Sequence, residues 1–123
     1  MSQKKTTKLS IDIILPNYNS ELYINDAVQS VINQTYKNWK LYIVDGNSNK
    51  KTKDQLLKFK NNKKIKIIWV RKNNGQGYNR NLGIKKSNSN YVAFIDSDDI
   101  WKKNKLEKKI NFMIKNKYNF SYT

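Results

Sequence analysis

The stretch Ile11-Asp12-Ile13-Ile14-Leu15-Pro16-Asn17-Tyr18-Asn19-Ser20 decides how the rest of the chain is read. Its first half is a short, near-continuous apolar run closed by a proline, which suits a strand buried on both faces of a parallel sheet. Its second half is a polar turn. Beyond it Ile24, Ala27, Val28, Val31 and Ile32 recur at helical spacing, with Asn19 or Ser20 expected as the N-cap. The alternation then repeats. Residues 39–44 are β-branched and aromatic, a second strand ended by Asp45-Gly46-Asn47-Ser48. Thr52 with Gln55 three residues on reads as a capping box, opening a helix through Leu56, Leu57 and Phe59. Residues 65–70 form a third predicted strand, followed by the glycine-bearing loop Asn73-Asn74-Gly75-Gln76-Gly77. A short helix is expected over 78–86 with Leu82 and Ile84 as its apolar anchors, then a fourth strand over 91–95. Asp96-Ser97-Asp98-Asp99 sits at that strand's carboxyl end. A last helix carries Leu106, Ile110, Met113 and Ile114, and residues 118–123 read as the start of a further strand.

This order predicts an α/β fold: an open, mainly parallel sheet with helices on both faces and right-handed crossovers. Such sheets bind ligands beyond the carboxyl ends of their strands, where the strand order reverses. The polar clusters 16–20, 45–48, 71–77 and 96–99 all fall at strand carboxyl ends, so they are expected to converge on one rim.

A chain of 123 residues fits one domain on the usual size of about 100–200 residues. It contains no cysteine and no histidine. That excludes disulfide scaffolds, thiolate zinc sites, cysteine nucleophiles and serine–histidine triads. Chemistry must then rest on carboxylates, hydroxyls, amides, Lys or Arg, with a hard, oxygen-seeking ion such as Mg²⁺ or Mn²⁺ where a metal is needed. Lys+Arg number 25 against 9 Asp+Glu, a net charge of +16. A polyanion partner is one reading of that imbalance. The other is compositional: all the cations but Arg71 and Arg80 are lysine, and Asn is abundant, as in a chain written with A-rich codons. Lysine is also the poorer residue for bidentate recognition of phosphate or bases. No segment reaches the roughly 18 apolar residues of a membrane span. Residues 1–8 are polar and basic, expected to form a flexible tail rather than a signal peptide. The expected location is cytoplasmic, with peripheral contact at the inner face of an anionic membrane compatible with the charge.

Three of the nine carboxylates, Asp96, Asp98 and Asp99, lie within four positions. Carboxylates this close repel one another unless a cation offsets them, and a divalent ion held there keeps positions open for substrate phosphates. The competing reading is that Asp98 or Asp99 caps the following helix. Asp45 could accept a hydrogen bond from a base or a sugar hydroxyl, or simply form a turn. Tyr18 could stack on a base, or pack over the strand edge. Arg80 could clamp a phosphate, or form a surface ion pair with an Asp of the cluster. Gly75 and Gly77 match neither a full dinucleotide fingerprint nor a P-loop.

Five blocks in register resemble the glycosyltransferase family 2 domain: 15–19 (Leu-Pro-Asn-Tyr-Asn), 30–36 (Ser-Val-Ile-Asn-Gln-Thr-Tyr), 43–48 (Ile-Val-Asp-Gly-Asn-Ser), Asn74-Gly75 with 80–83 (Arg-Asn-Leu-Gly), and 91–99. The resemblance runs from Ser10 to about Lys109. It implies a nucleotide-diphosphate-sugar-binding GT-A domain over 9–123 and inverting sugar transfer to a glycan or lipid-linked acceptor. It further implies that Pro16, Tyr18 and Asn19 line the base and ribose pocket, that Asp45 bonds the base, and that Arg80 lies near the nucleotide. Asp96-Ser97-Asp98 matches the family's Asp-x-Asp motif, with Asp98 as the metal contact and Asp96 and Asp99 supporting. Two departures stand out: Gly46-Asn47 where Asp-Gly is more usual, and Asn79 where an Ala usually precedes the arginine. The general base of the family belongs to an acceptor-side half for which no residue here is a candidate, Glu107 lying mid-helix among lysines. The resemblance thus implies an incomplete, donor-binding part. A basic nucleic-acid-binding module and an inactive remnant are the alternatives.

Overall fold

The computed structural model describes residues 9–116; the expected tail at 1–8 and the expected strand at 118–123 lie outside the described residues. Four strands, β1 (Ile11–Asn17), β2 (Trp39–Asp45), β3 (Ile65–Trp69) and β4 (Tyr91–Phe94), alternate with four helices, α1 (Ile24–Ile32), α2 (Lys50–Leu57), α3 (Gln76–Lys86) and α4 (Lys105–Asn116). The sheet is parallel throughout, in the order β3-β2-β1-β4. The chain builds outward from β1 to β3, then crosses back to place β4 on the other side of β1. The order therefore reverses between β1 and β4, and the crevice expected of such sheets opens at their carboxyl ends.

Two apolar layers flank the sheet, as the sequence predicted. On one face Ile11, Ile13, Leu15, Leu41 and Ile43 meet Ile24, Ala27, Val28 and Val31 of α1, Leu56 of α2 and Leu106 and Ile110 of α4. On the other Ile14, Tyr42 and Val44 meet Leu82 of α3. β1 and β2 are buried on both faces almost throughout, whereas β3 and β4, at the two sides of the sheet, are partly exposed. Uninterrupted apolar runs overstate the burial of such edge strands.

β1 pairs with β4 only from Ile11 to Ile14. The last link there is Ile95 N–H donating to the Ile14 carbonyl at 3.1 Å. Residue 16 has the same parity as residue 14, so its amide faces β4, and a proline has no N–H to extend the ladder. Pro16 thus helps the two strands part where the crevice begins.

Several local expectations are corrected. The α1 cap position is Tyr23, with no side-chain cap; Asn19 and Ser20 are engaged elsewhere. The α2 cap is Asn49, whose Oδ1 accepts from Thr52 N–H at 3.0 Å, so Thr52 lies inside the helix rather than opening it. In α3, Ile84 is exposed and Gly83 is the buried contact. Glu107 stands in the first turn of α4, not mid-helix, and accepts from the Thr35 hydroxyl.

Candidate functional site

The polar loops gather on the carboxyl rim as the topology requires. Asn17 ends β1 with its side chain buried, and its Nδ2 donates to Asp45 Oδ1 at 3.0 Å. Asp45, with no exposed surface, also accepts from Ser48 N–H at 2.9 Å and from Ser48 Oγ at 2.6 Å. A buried carboxylate requires this many donors to offset its lost hydration. Asp45 thereby organises the β1 and β2 loops. Ser48 Oγ in turn accepts from Asn19 N–H at 2.9 Å, and Asn19 Oδ1 accepts from Asn49 N–H at 2.7 Å. Asn19 has φ of 51°, a left-handed conformation that asparagine tolerates well. The outcome is a rigid turn that leaves the Tyr18 ring about half exposed on the rim, at 49%. Pro16 is buried within β1.

Across the crevice, Asp96–Asp99 form a turn closed by Asp99 N–H donating to the Asp96 carbonyl at 3.0 Å. α4 begins only at Lys105, so neither Asp98 nor Asp99 caps it. Ser97 and Ser20 lie within hydrogen-bond distance, Oγ to Oγ 2.8 Å, which ties the acidic turn to the Tyr18 loop. Arg80 Nη2 lies 3.3 Å from Asp96 Oδ1, and its guanidinium sits 5.9 Å from the centre of the Phe94 ring. Both partners of this ion pair are partly exposed, so it contributes little to stability. Asp98 and Asp99 are exposed.

Three buried polar atoms on this rim have no hydrogen-bond partner among the described residues: Asn17 Oδ1, Asn79 Oδ1 and Arg80 Nε. The two sequence departures meet here. A Cβ on Gly46 would lie 3.0 Å from Asn79 Nδ2 and 3.0 Å from Asn73 Oδ1, so the missing side chain at 46 makes room for those amides. The roles of Asn17, Ser20, Ser48 and Asn79 were not read from the sequence. Their one signal was position, since Asn17 ends β1, Ser20 and Ser48 follow the ends of β1 and β2, and Asn79 lies in the first turn of the helix after β3.

The family described as Glycosyl transferase family 2 matches residues 12–123. The chain belongs to that family. Among its relatives is the Escherichia coli UDP-Glc:alpha-D-GlcNAc-diphosphoundecaprenol beta-1,3-glucosyltransferase WfgD, 39% identical over 112 residues, covering 91% of this chain and 44% of that protein. The crystal structure of S. aureus TarS 1-349 in complex with UDP-GlcNAc superposes with a TM-score of 0.81 at 29% identity, covering 87% of this chain and 32% of that one. The mannosyltransferase PcManGT from Pyrobaculum calidifontis, in complex with GDP-Man and Mn2+, shares the fold at a TM-score of 0.69 and 18% identity, covering 74% of this chain and 28% of that one. The sheet is thus the GT-A arrangement of family 2 transferases. The chain spans less than half the length of the first curated relatives it matches. Among the described residues no helix is long and apolar enough to cross a membrane.

The family implies a divalent metal, and the donor set here suits one kind of site. Among the described residues no three acidic side chains are gathered as a ready-made cage, and Asp96 is turned toward Arg80. What remains is a pair of exposed carboxylates, Asp98 and Asp99, at the carboxyl end of β4. That fits a hard ion that keeps water and substrate phosphates in most of its positions.

Proposed function

We propose that this chain supplies the nucleotide-sugar-binding part of a family 2 glycosyltransferase, which transfers a sugar with inversion from a nucleoside-diphosphate donor to an acceptor hydroxyl. The observation that carries the reading is the junction at the β1/β4 switch point. There the Ser20–Ser97 contact places the exposed Tyr18 ring and the exposed Asp98 carboxylate on two loops bound to each other. One side offers a flat aromatic surface to a base, the other a hard anion to a cation shared with a diphosphate.

In this reading Tyr18 stacks on the base, over a floor made by Pro16. Asn19 and Asp45 fix the wall of the ribose pocket through Ser48. Arg80, balanced by Asp96, presents its guanidinium toward the nucleotide. Asp98 would hold the metal, Mn²⁺ or Mg²⁺, with Asp96 and Asp99 adding negative charge and Ser97 keeping the turn in place. When bound, the ion offsets charge on the departing diphosphate as a Lewis acid. The base that activates the acceptor is assigned to no residue of this chain. A lipid-linked or glycan acceptor, met at the cytoplasmic face of a membrane, is supported by the lipid-diphosphate substrate named for the E. coli relative and by the chain's cationic character.

Isothermal titration with UDP, with and without Mn²⁺, tests the proposal. Saturable heat that strengthens with Mn²⁺ is expected; no heat at millimolar UDP in either condition contradicts it.

A further inference from the structure

Gln34 has no exposed surface, yet it carries a carboxamide where an apolar side chain would avoid the cost of desolvation. All of that amide's links go to backbone. Nε2 donates to the Ser30 carbonyl at 3.1 Å and to the Lys102 carbonyl at 2.6 Å, and Oε1 accepts from Leu106 N–H at 3.0 Å. The next residue grips the same segment: Thr35 N–H donates to the Lys103 carbonyl at 2.8 Å, and its hydroxyl to Glu107. Two consecutive residues just beyond α1 therefore hold the strap that joins the acidic turn to α4. Trp101, buried in the main core, pins the same strap from below. On its other side the turn is held by Ile95 N–H on the Ile14 carbonyl. Asp96–Asp99 are held at both ends, on β1 through Ile14 and on Gln34 through the strap, with the Ser20–Ser97 and Arg80–Asp96 contacts between.

We infer that Gln34 is a positioning residue for the donor site: it sets where the exposed Asp98 carboxylate stands over the crevice, and with it the metal-dependent part of diphosphate binding. This rests on the donor-site reading above. Gln34 touches no ligand itself. Its effect passes through the Lys102 carbonyl and the strap to the acidic turn, while the Tyr18 loop, though touched by Ser97, keeps its own anchors on Ser48 and Asn49.

The test is UDP titration of the whole chain with and without Mn²⁺, alongside thermal melting. Gln34→Met keeps the volume and removes every polar link. It is expected to cut the gain in UDP affinity given by Mn²⁺ about tenfold, on the scale of one or two lost hydrogen bonds, with metal-free affinity within about twofold of the parent. Asp12→Asn, which weakens a buried anchor remote from the strap, is the stability control; it should melt earlier and keep the full Mn²⁺ gain. Thr35→Val serves if Gln34→Met does not fold, and should lose part of the Mn²⁺ gain. A Gln34→Met protein that melts earlier but keeps that gain overturns the inference. So does one whose two affinities fall together, or, where Gln34→Met does not fold, a Thr35→Val protein with the parent's gain. A parent chain that does not bind UDP at all removes the donor-site reading, and this inference with it.

Discussion

At the scale of single residues, the acids divide into two kinds by what surrounds them. Asp12 sits inside β1 with no exposed surface and accepts four hydrogen bonds, from Ser87 Oγ at 2.7 Å, Asn88 N–H at 3.0 Å, Ser89 N–H at 3.3 Å and Ser89 Oγ at 2.6 Å. It ties the loop entering β4 to the middle of the sheet. Replacing it with Asn turns one acceptor oxygen into a donor facing donors, so Asp12→Asn should cost about 1–3 kcal/mol in urea unfolding. Asp98, exposed and without such donors among the described residues, should behave in the opposite way. Asp98→Ala is expected to leave the urea midpoint within about 0.5 kcal/mol of the parent, as surface substitutions do, and to abolish the strengthening of UDP binding by Mn²⁺. Unchanged Mn²⁺ dependence in that variant would argue against Asp98 as the metal contact. The sequence showed Asp98 because four neighbouring positions hold three acids at a strand end. It did not show Asp12 or Gln34 at work, because their partners lie 75 and 72 residues away along the chain. Asp45 was legible as a strand-end residue but not as a buried one, since part of its shielding comes from Asn17 on another strand.

At the scale of elements, periodicity located every helix and strand of the described chain, while side-chain detail set the ends and faces. Leu82 and Ile84 were read as joint anchors of α3, but residues two apart on a helix do not share a face. The contact between them is Gly83. A Cβ there would come 2.5 Å from Ile14 Cγ2, so α3 approaches β1 closely enough to exclude any side chain. Gly83→Ala must push the helix outward or strain Ile14, and should destabilise the fold by about 1–3 kcal/mol despite alanine's better helix propensity. Because α3 carries Arg80, UDP affinity should fall as well. A Gly83→Ala protein as stable as the parent would show that the packing yields without cost. Asn49 is the other element-scale case: Asn49→Ala should lose about 1 kcal/mol in the same urea assay, through the α2 cap.

At the scale of the molecule, the net charge of +16 makes some attraction to polyanions inevitable, and that attraction weakens steeply with salt. It differs from the donor site in what surrounds each: the lysines are spread along the chain, whereas four of the nine carboxylates, Asp45, Asp96, Asp98 and Asp99, lie at the carboxyl ends of β2 and β4. DNA binding, measured by fluorescence anisotropy, is expected to fade as salt rises toward 0.3 M (on the order of a Debye length of 6 Å) and to be indifferent to Asp98→Ala. The topology explains why so much of the site could be anticipated. Reversal of strand order between β1 and β4 forces their following loops together whatever those loops contain, so Ser20 and Ser97, 77 positions apart, become neighbours by connectivity. The close packing of Gly46, Asn73 and Asn79 beyond the ends of β2 and β3 depends on side-chain detail that no strand-end rule supplies. The most direct measurement of the central claim is a crystal structure of this chain with UDP and Mn²⁺. The uracil ring is expected against Tyr18, the diphosphate directed to the 96–99 turn, and the ion coordinated by Asp98. A nucleotide seated away from the β1/β4 crevice, or an ion with no contact to the acidic turn, would contradict it.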